Sequence, residues 1–308
     1  MKKAAKILLS APTVFLIVNL IVTLFVKGKR EVETNTVYVL VLVAIWLLYA
    51  LGTALDKEEK PKKHLGDIVV GVYVVLLGLE YLTRISDSLN KTLFPCLEDV
   101  AQVFVRDGTF MLENIGSSLK ILLIGYGIAL ILGNLLGLII GYNERLRSGL
   151  FPVAKVISPI PPMVYTPYLI ALLPSFNMAS IAVIAFGLFW PNFMNMIIRV
   201  ESMEKKIIDS AKTLDAGTFT MLFKIILPYS MPAIIKGIRV QFSITFMILV
   251  MAEMIGAKSG LGFYVKKFSD YIDFTRVFAG IILIGLVITV VNLLLQKLED
   301  ATIKWRPV

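Results

Sequence analysis

The sequence predicts an all-α polytopic membrane protein, and three observations predict it. Hydrophobic residues fill 57% of the 308 positions and charged residues only 17%, with a mean hydropathy of +0.81. A soluble domain carries about 25% charge. The apolar residues gather in runs of roughly 20, the length a helix needs to cross the hydrocarbon. The charges fall mostly between those runs, where a membrane protein keeps its loops.

Eight runs qualify as candidate spans: 7–26, 37–55, 67–83, 112–142, 149–173, 178–198, 232–256 and 276–296. The first resembles a signal peptide, but it exceeds the usual 7–15 apolar residues and no clean small-x-small cleavage site follows. It is read as an uncleaved helix. The linker "DKEEKPKKH" (Asp56 to His64) separates two spans from the six that follow, so the predicted domains are 1–66 and 67–308. His64, the single histidine, belongs to this solvated stretch. The third span is the shortest, and Glu80 and Arg84 near its end are spaced to pair with each other. The fourth carries Gly125, Gly127, Gly133, Gly137 and Gly141, which permit close helix packing or a bend. Lys120 in the same span either attracts an anion or reaches the outer surface. The fifth holds Pro152, Pro159, Pro161, Pro162, Pro167 and Pro174. Proline removes donors and bends helices, so this span either lines a pore or kinks for packing. In the seventh, Lys236 and Arg239 are placed to snorkel to headgroups. Glu253 near its end is either a functional charge or a helix-end carboxylate paired with Lys258.

With both termini inside, the inner segments hold 17 Lys and Arg and the outer ones 10. That bias supports cytoplasmic termini and accounts for the net charge of +9 without nucleic acid. The single cysteine, Cys96, excludes an intramolecular disulfide, and one His with one Cys leaves little material for metal or Cys/His chemistry.

One inner segment stands apart. "DSAKTLDAGTFTMLFKIILP" (Asp209 to Pro228) is polar yet patterned as helix. Ile207, Ile208, Ala211 and Leu214 share one face, and Phe219, Leu222, Phe223 and Ile226 another. Asp215, Ala216 and Gly217 between them favour a turn, with glycine permitting left-handed backbone. Pro228 is expected to stop the second helix. The pattern is two short amphipathic helices and an elbow, lying on headgroups or docked against protein.

This segment resembles the cytoplasmic loop of permease subunits of binding-protein-dependent ABC importers. That family's pattern is Glu-Ala-Ala, three residues, Gly, nine residues, Ile-x-Leu-Pro. Here it reads Asp209-Ser210-Ala211, Asp215, then Ile225-Ile226-Leu227-Pro228, with Asp, Ser and Asp replacing Glu, Ala and Gly. Other stretches agree: Leu93 to Val100, Asn114 to Gly141, Ser158 to Leu172, and the acidic residue with Gly-Leu-Gly in Ala252 to Val265. The likeness covers about residues 93–296 and is closest to the nitrate, sulfonate, taurine and bicarbonate branch. Where that branch carries Phe-Gly-x-Gly, this chain carries Leu173-Pro174-Ser175-Phe176.

The resemblance implies a type I importer permease core of about five to six helices with two extra N-terminal spans, in a bacterial inner membrane. It implies import of a small anion such as a sulfonate, nitrate or bicarbonate, by alternating access. The implied partners are an ABC ATPase dimer, an extracytoplasmic binding protein, membrane lipid and a second permease copy, identical or related. The implied coupling residues are Asp209, Ser210, Ala211, Leu214, Asp215, Gly217, Leu227 and Pro228, in a loop spanning about 199–231. Pro161, Pro162, Pro167 and Glu253 are pathway candidates. No Gly-x-x-x-x-Gly-Lys-Ser/Thr occurs, so the chain is expected to bind no cofactor itself, with ATP on the partner subunit and no catalytic residue here. Two other classes fit parts of the pattern. A gradient-driven transporter would show paired broken spans in two halves, and only one Pro-rich span is present. A non-transporting scaffold would bind a partner through the same loop.

Overall fold

A computed structural model of the chain describes residues 8–55 and 63–302. Most of the linker expected at Asp56 to His64, and both chain ends, lie outside them. Every regular element among the described residues is helical. Among the described residues six helices are long and apolar enough to cross a membrane: Thr36–Ala54, His64–Ile85, Gly108–Tyr142, Phe176–Glu201, Thr218–Gly256 and Phe274–Thr302. This is an all-α polytopic membrane protein. The helices divide between two compact units. One holds residues up to Met111 with Lys267–Ile282, the other Leu112–Lys266 with residues from Leu283 onward.

The first unit opens with α1 (Ala11–Phe25), a 15-residue helix whose Pro12 sits in the first turn, where no donor is lost. α2 (Thr36–Leu55) and α3 (Lys63–Glu80) follow. α3 ends in a wide π-type turn over Tyr81–Ile85. α4 (Leu97–Arg106) carries Glu98 and Asp99 in its first turn, the end that favours negative charge. Leu16, Tyr38, Leu42, Tyr49, Val69, Tyr73 and Ala101 form the common core of these four helices. Hydrogen bonds cross it: Tyr73 donates to the Leu42 carbonyl at 2.9 Å, and the Trp46 indole to Thr13 at 2.9 Å. Such bonds help hold helices where lipid offers no hydrophobic drive between them. Outside the spans, the buried Arg30 guanidinium donates to Asp87 at 2.6 Å and to the carbonyls of Phe94 and Leu89. It holds the Asp87 carboxyl below the usual range. Arg106 does the same for Glu33. Burial, with Glu98 and Asp99 nearby, pushes the Cys96 thiol up to about 11.

In the second unit α5 (Gly108–Tyr142) runs against α8 (Phe176–Glu201) along a glycine stripe. A Cβ at Gly133 would stand 2.7 Å from that of Asn192, and one at Gly137 2.7 Å from that of Met196. Gly125 meets Ile184 and Gly141 meets Val200 in the same way, whereas Gly127 has open space. The packing alternative accounts for four of the five glycines.

Two expectations are corrected. The run 149–173 is not one span but two helices, α6 (Glu144–Ile157) and α7 (Pro162–Leu172). Consecutive prolines remove donors and push the residue before each out of the helical region. Pro161 is accordingly extended, at φ −61° and ψ 133°, and Pro162 starts α7. Pro228 does not stop a helix either. A short turn at Thr218–Thr220 leads through a wide π-type turn at Met221–Ile226 into α10 (Leu227–Gly256), in which Pro228 occupies the first turn. There its missing N–H breaks no regular α ladder. α9 (Lys205–Thr213), α11 (Leu261–Asp270) and α12 (Phe274–Thr302) complete the chain.

Candidate functional site

The polar segment after α8 builds the elbow expected of it. α9 ends at Thr213, and Asp215 takes the left-handed backbone at φ 54°. Ala216 N–H reaches the Ala211 carbonyl at 3.1 Å and Asp215 N–H the Lys212 carbonyl at 3.0 Å. This pair of bonds is a Schellman closure, which satisfies two of the helix's last carbonyls. The residue in the left-handed position is Asp215 rather than Gly217, whose φ is −64°. An aspartate tolerates this region better than most non-glycine residues.

The elbow has a fixed back and an open front. Ala211, Met221, Leu222 and Ile226 are buried with Leu138, Met196, Val200 and Met203. Ile207, Ile208, Phe223 and Leu227 pack partly against the same cluster. On the front, Asp209, Ser210, Asp215 and Gly217 are exposed. So are Leu214 at 84% and Phe219 at 68%. Leu214 thus leaves the face it was expected to share with Ala211, and Phe219 leaves that of Leu222 and Ile226. Pro228 is exposed at the base of α10. The eight coupling candidates therefore fall into a tight group at the elbow and a pair, Leu227 and Pro228, beyond the wide turn.

Glu253 lies elsewhere, at the far end of α10, and is 1% exposed. Its Oε1 accepts from Ser118 Oγ at 2.6 Å and its Oε2 from Gly262 N–H at 2.8 Å. Ser118 in turn accepts from Leu261 N–H at 2.8 Å, and Asn114 Oδ1 from Gly260 N–H at 2.7 Å. Three consecutive amides of the Gly-Leu-Gly turn thus end on buried side-chain oxygens. The glycines are required: Gly260 has φ +124°, and a Cβ there would fall on the Glu253 carboxylate. At Gly262 it would meet the Val250 carbonyl and Glu253 Cβ. Glu253 is bound by this turn rather than by Lys258. Asn114 and Ser118 are not singled out in the sequence. The available signal is two small polar residues four apart at the start of a span.

Pro161 and Pro162 mark the break before α7, and Pro167 lies inside it. Beside α7 an apolar cavity of about 470 Å³ is lined by Leu132, Tyr165, Tyr168, Phe186 and Phe189 among others. Neither the three prolines nor Glu253 is among its lining residues.

Residues 133–304 match the family described as binding-protein-dependent transport system inner membrane component, more than half of the chain. The chain belongs to this family. A putative ABC transporter permease protein of Methanocaldococcus jannaschii is 30% identical over 70% of this chain and 84% of its own length. The taurine transport system permease protein of Escherichia coli is 28% identical over 77% of this chain and 88% of its own. The putative aliphatic sulfonates transport permease protein of Bacillus subtilis is 29% identical over 57% of this chain, and the match spans 63% of that relative, just under two thirds. The match begins within α5, so helices α1 to α4 of this permease lie before it.

Proposed function

We propose that this permease is the membrane-spanning subunit of an ATP-driven ABC importer. It passes a small anion from an extracytoplasmic binding protein to the cytoplasm by alternating access. The names of the taurine and sulfonate relatives support an organic sulfonate as first choice. Two permease copies work with two ATPase subunits, which bind and hydrolyse the ATP. The chain ends and the elbow face the cytoplasm of a bacterial inner membrane.

One observation carries this reading: the elbow presents Leu214 and Phe219 to solvent while its other face is locked into the helix core. A loop with no partner gains nothing from two exposed large apolar side chains, whereas an apolar pair on a stiff support suits a groove on another protein. The back face lets a push on the elbow reach α5, α8 and α10 as a rigid displacement, which switching between two arrangements requires. Irregular backbone at membrane depth is tolerated where it packs in protein or lines a cavity, so the proline break before α7, with an apolar cavity beside that helix, supports a solute path there. Pro161, Pro162 and Pro167 shape that stretch, and Glu253 stiffens the turn after α10.

The test is Leu214→Asp with Phe219→Asp. Both positions are exposed, so the permease is expected to fold and insert. The wild-type chain should co-purify with an ATPase whose turnover rises with binding protein and taurine or another sulfonate. The double variant should lose the ATPase and uptake into proteoliposomes, by 10-fold or more. Uptake that persists without ATP and collapses with an ionophore would identify a gradient-driven transporter instead.

A further inference from the structure

The first unit contains a buried charge cluster that the transport reading does not use. Arg84, in the wide turn that ends α3, is 3% exposed, and Glu80 and Glu98 are both 0% exposed. The guanidinium spends its aligned donors on backbone. Nη1 bonds the Thr23 carbonyl at 3.0 Å, and Nη2 those of Val22 and Val26 at 2.8 and 3.1 Å. Those carbonyls close the C-terminal end of α1, where intrahelical donors run out; only that of Val22 also accepts a backbone N–H, from Val26 at 3.2 Å.

The edge of Arg84 formed by Nε and Nη2 ordinarily grips one carboxylate with two bonds. Here two carboxylates share it. Glu80 Oε1 stands 3.1 Å from Nη2 and Glu98 Oε1 3.3 Å from Nε, neither aligned as a hydrogen bond. Thr23 donates to Glu80 Oε2 at 3.0 Å. Glu80 Oε1 then has no aligned donor among the described residues, and the Glu98 carboxylate meets only its own backbone N–H. A separate observation points the same way. The Tyr38 hydroxyl of α2 is 3% exposed, without a partner among the described residues, and lies in the field of both carboxylates.

Two buried carboxylates against one guanidinium leave a net negative charge in a dry site, which is costly unless neutralised. The groups facing this site are Tyr38 from α2, Glu80 and Arg84 from α3, and Glu98 and Asp99 from α4, with Cys96 beside Glu98. From α1 come only Thr23 and carbonyls. Arg30 lies beside Cys96, but its guanidinium is taken by Asp87 and by backbone carbonyls, so Arg84 is the positive charge that meets the two carboxylates. A metal cation would have to enter against the guanidinium. A proton needs no volume and turns one orphaned oxygen into a donor.

We propose that Glu80 and Glu98 jointly bind one exchangeable proton on the shared edge of Arg84, forming a proton site that fastens α1 to α3 and α4. Burial raises the Glu98 carboxyl above the ordinary range, in keeping with this. Releasing the proton leaves two ionised carboxylates around one arginine and loosens the contact. The inference does not depend on the transport reading, because the site lies in helices outside the matched region.

The experiment is an infrared pH titration of the full chain in lipid nanodiscs, reading the C=O band of protonated carboxyl groups. Glu80, Glu98 and Glu253 are the buried carboxylates among the described residues, so Glu253→Gln removes the one unrelated source. In that background a band worth one carboxyl is expected at pH 7, bleaching as pH rises. Glu98→Gln or Glu80→Gln should abolish it. No band at pH 7, or a band that survives both substitutions, overturns the proposal. So does a band that sodium chloride bleaches at constant pH, which would make the site a metal-cation site. The Glu253→Gln titration decides even if a cluster variant does not fold, because it leaves the cluster intact.

Discussion

At the scale of single residues, two positions show how far local chemistry carries. Asp215 stands where the family pattern has glycine, and its φ of 54° explains that preference. A side chain in the left-handed region costs about 1 kcal/mol, less for aspartate than for a branched residue. Asp215→Gly should therefore raise thermal stability by up to about 1 kcal/mol, and Asp215→Val should lower it by about 1 kcal/mol. Unfolding of both variants in one detergent checks the order, and a Val variant as stable as the Gly variant would contradict it. That a turn falls at Asp215–Gly217 is legible in the sequence. Which of the three residues takes the left-handed backbone is not, because the hydrogen bonds back to Ala211 and Lys212 decide it. Glu253 is the complementary case. Its chemistry is evident from its burial-prone setting, but its partner Ser118 lies 135 positions away, beyond any local pattern. Glu253→Ala would leave two buried donors unpaired, a loss of about 3 kcal/mol. Glu253→Gln, which keeps an acceptor, should cost less than half of that in the same measurement.

At the scale of elements, apolar run length located the helices and proline chemistry set where they break. Of the eight apolar runs, six become long spans; the run 7–26 yields only the 15-residue α1. The division of 149–173 into α6 and α7 follows from Pro159, Pro161 and Pro162, yet a run-length reading passes over it because every intervening residue is apolar. The continuity through Pro228 has a different origin. A wide turn at Met221–Ile226 shifts the hydrogen-bond register just ahead of the proline, and such turns leave no hydropathy signature. The glycine stripe on α5 was legible as close packing, but its partner was not: only the fold shows that α8 supplies Asn192, Met196 and Val200. The stripe gives a graded prediction. Gly137→Ala puts a methyl 2.7 Å from Met196 Cβ, an overlap that should cost about 1–3 kcal/mol. Gly127→Ala meets nothing within 4 Å and should be neutral or slightly stabilising. Equal effects of the two in thermal unfolding would show that the helices do not approach as closely as described.

At the scale of the whole molecule, charge is scarce, and where it is paired or buried it sets the response to pH. Two kinds of carboxylate oppose each other. Asp87 and Glu33 are held below their ordinary range by Arg30 and Arg106. Their contribution is present above the unfolded values of about 3.9 and 4.3 and is lost as pH falls below them. Glu98 and Asp99 are raised by burial. The folded chain therefore binds more protons at these two sites than the unfolded chain does. Their contribution is complete below about 4 and is lost as pH rises through the raised values. Stability should consequently peak on the acid side of neutrality and decline in both directions. Asp87→Asn should flatten the acid limb alone, and Glu98→Gln the alkaline limb alone, since each removes one sign of proton linkage. Melting temperatures between pH 3 and pH 9 for the wild type and the two variants make the comparison. An alkaline limb unchanged by Glu98→Gln would move the linkage away from the α3–α4 cluster. The sequence places Glu80 and Arg84 four apart and so foresees their pairing. The third member, Glu98, joins only because α4 folds back onto α3, and that contact converts a simple ion pair into a pH-dependent one.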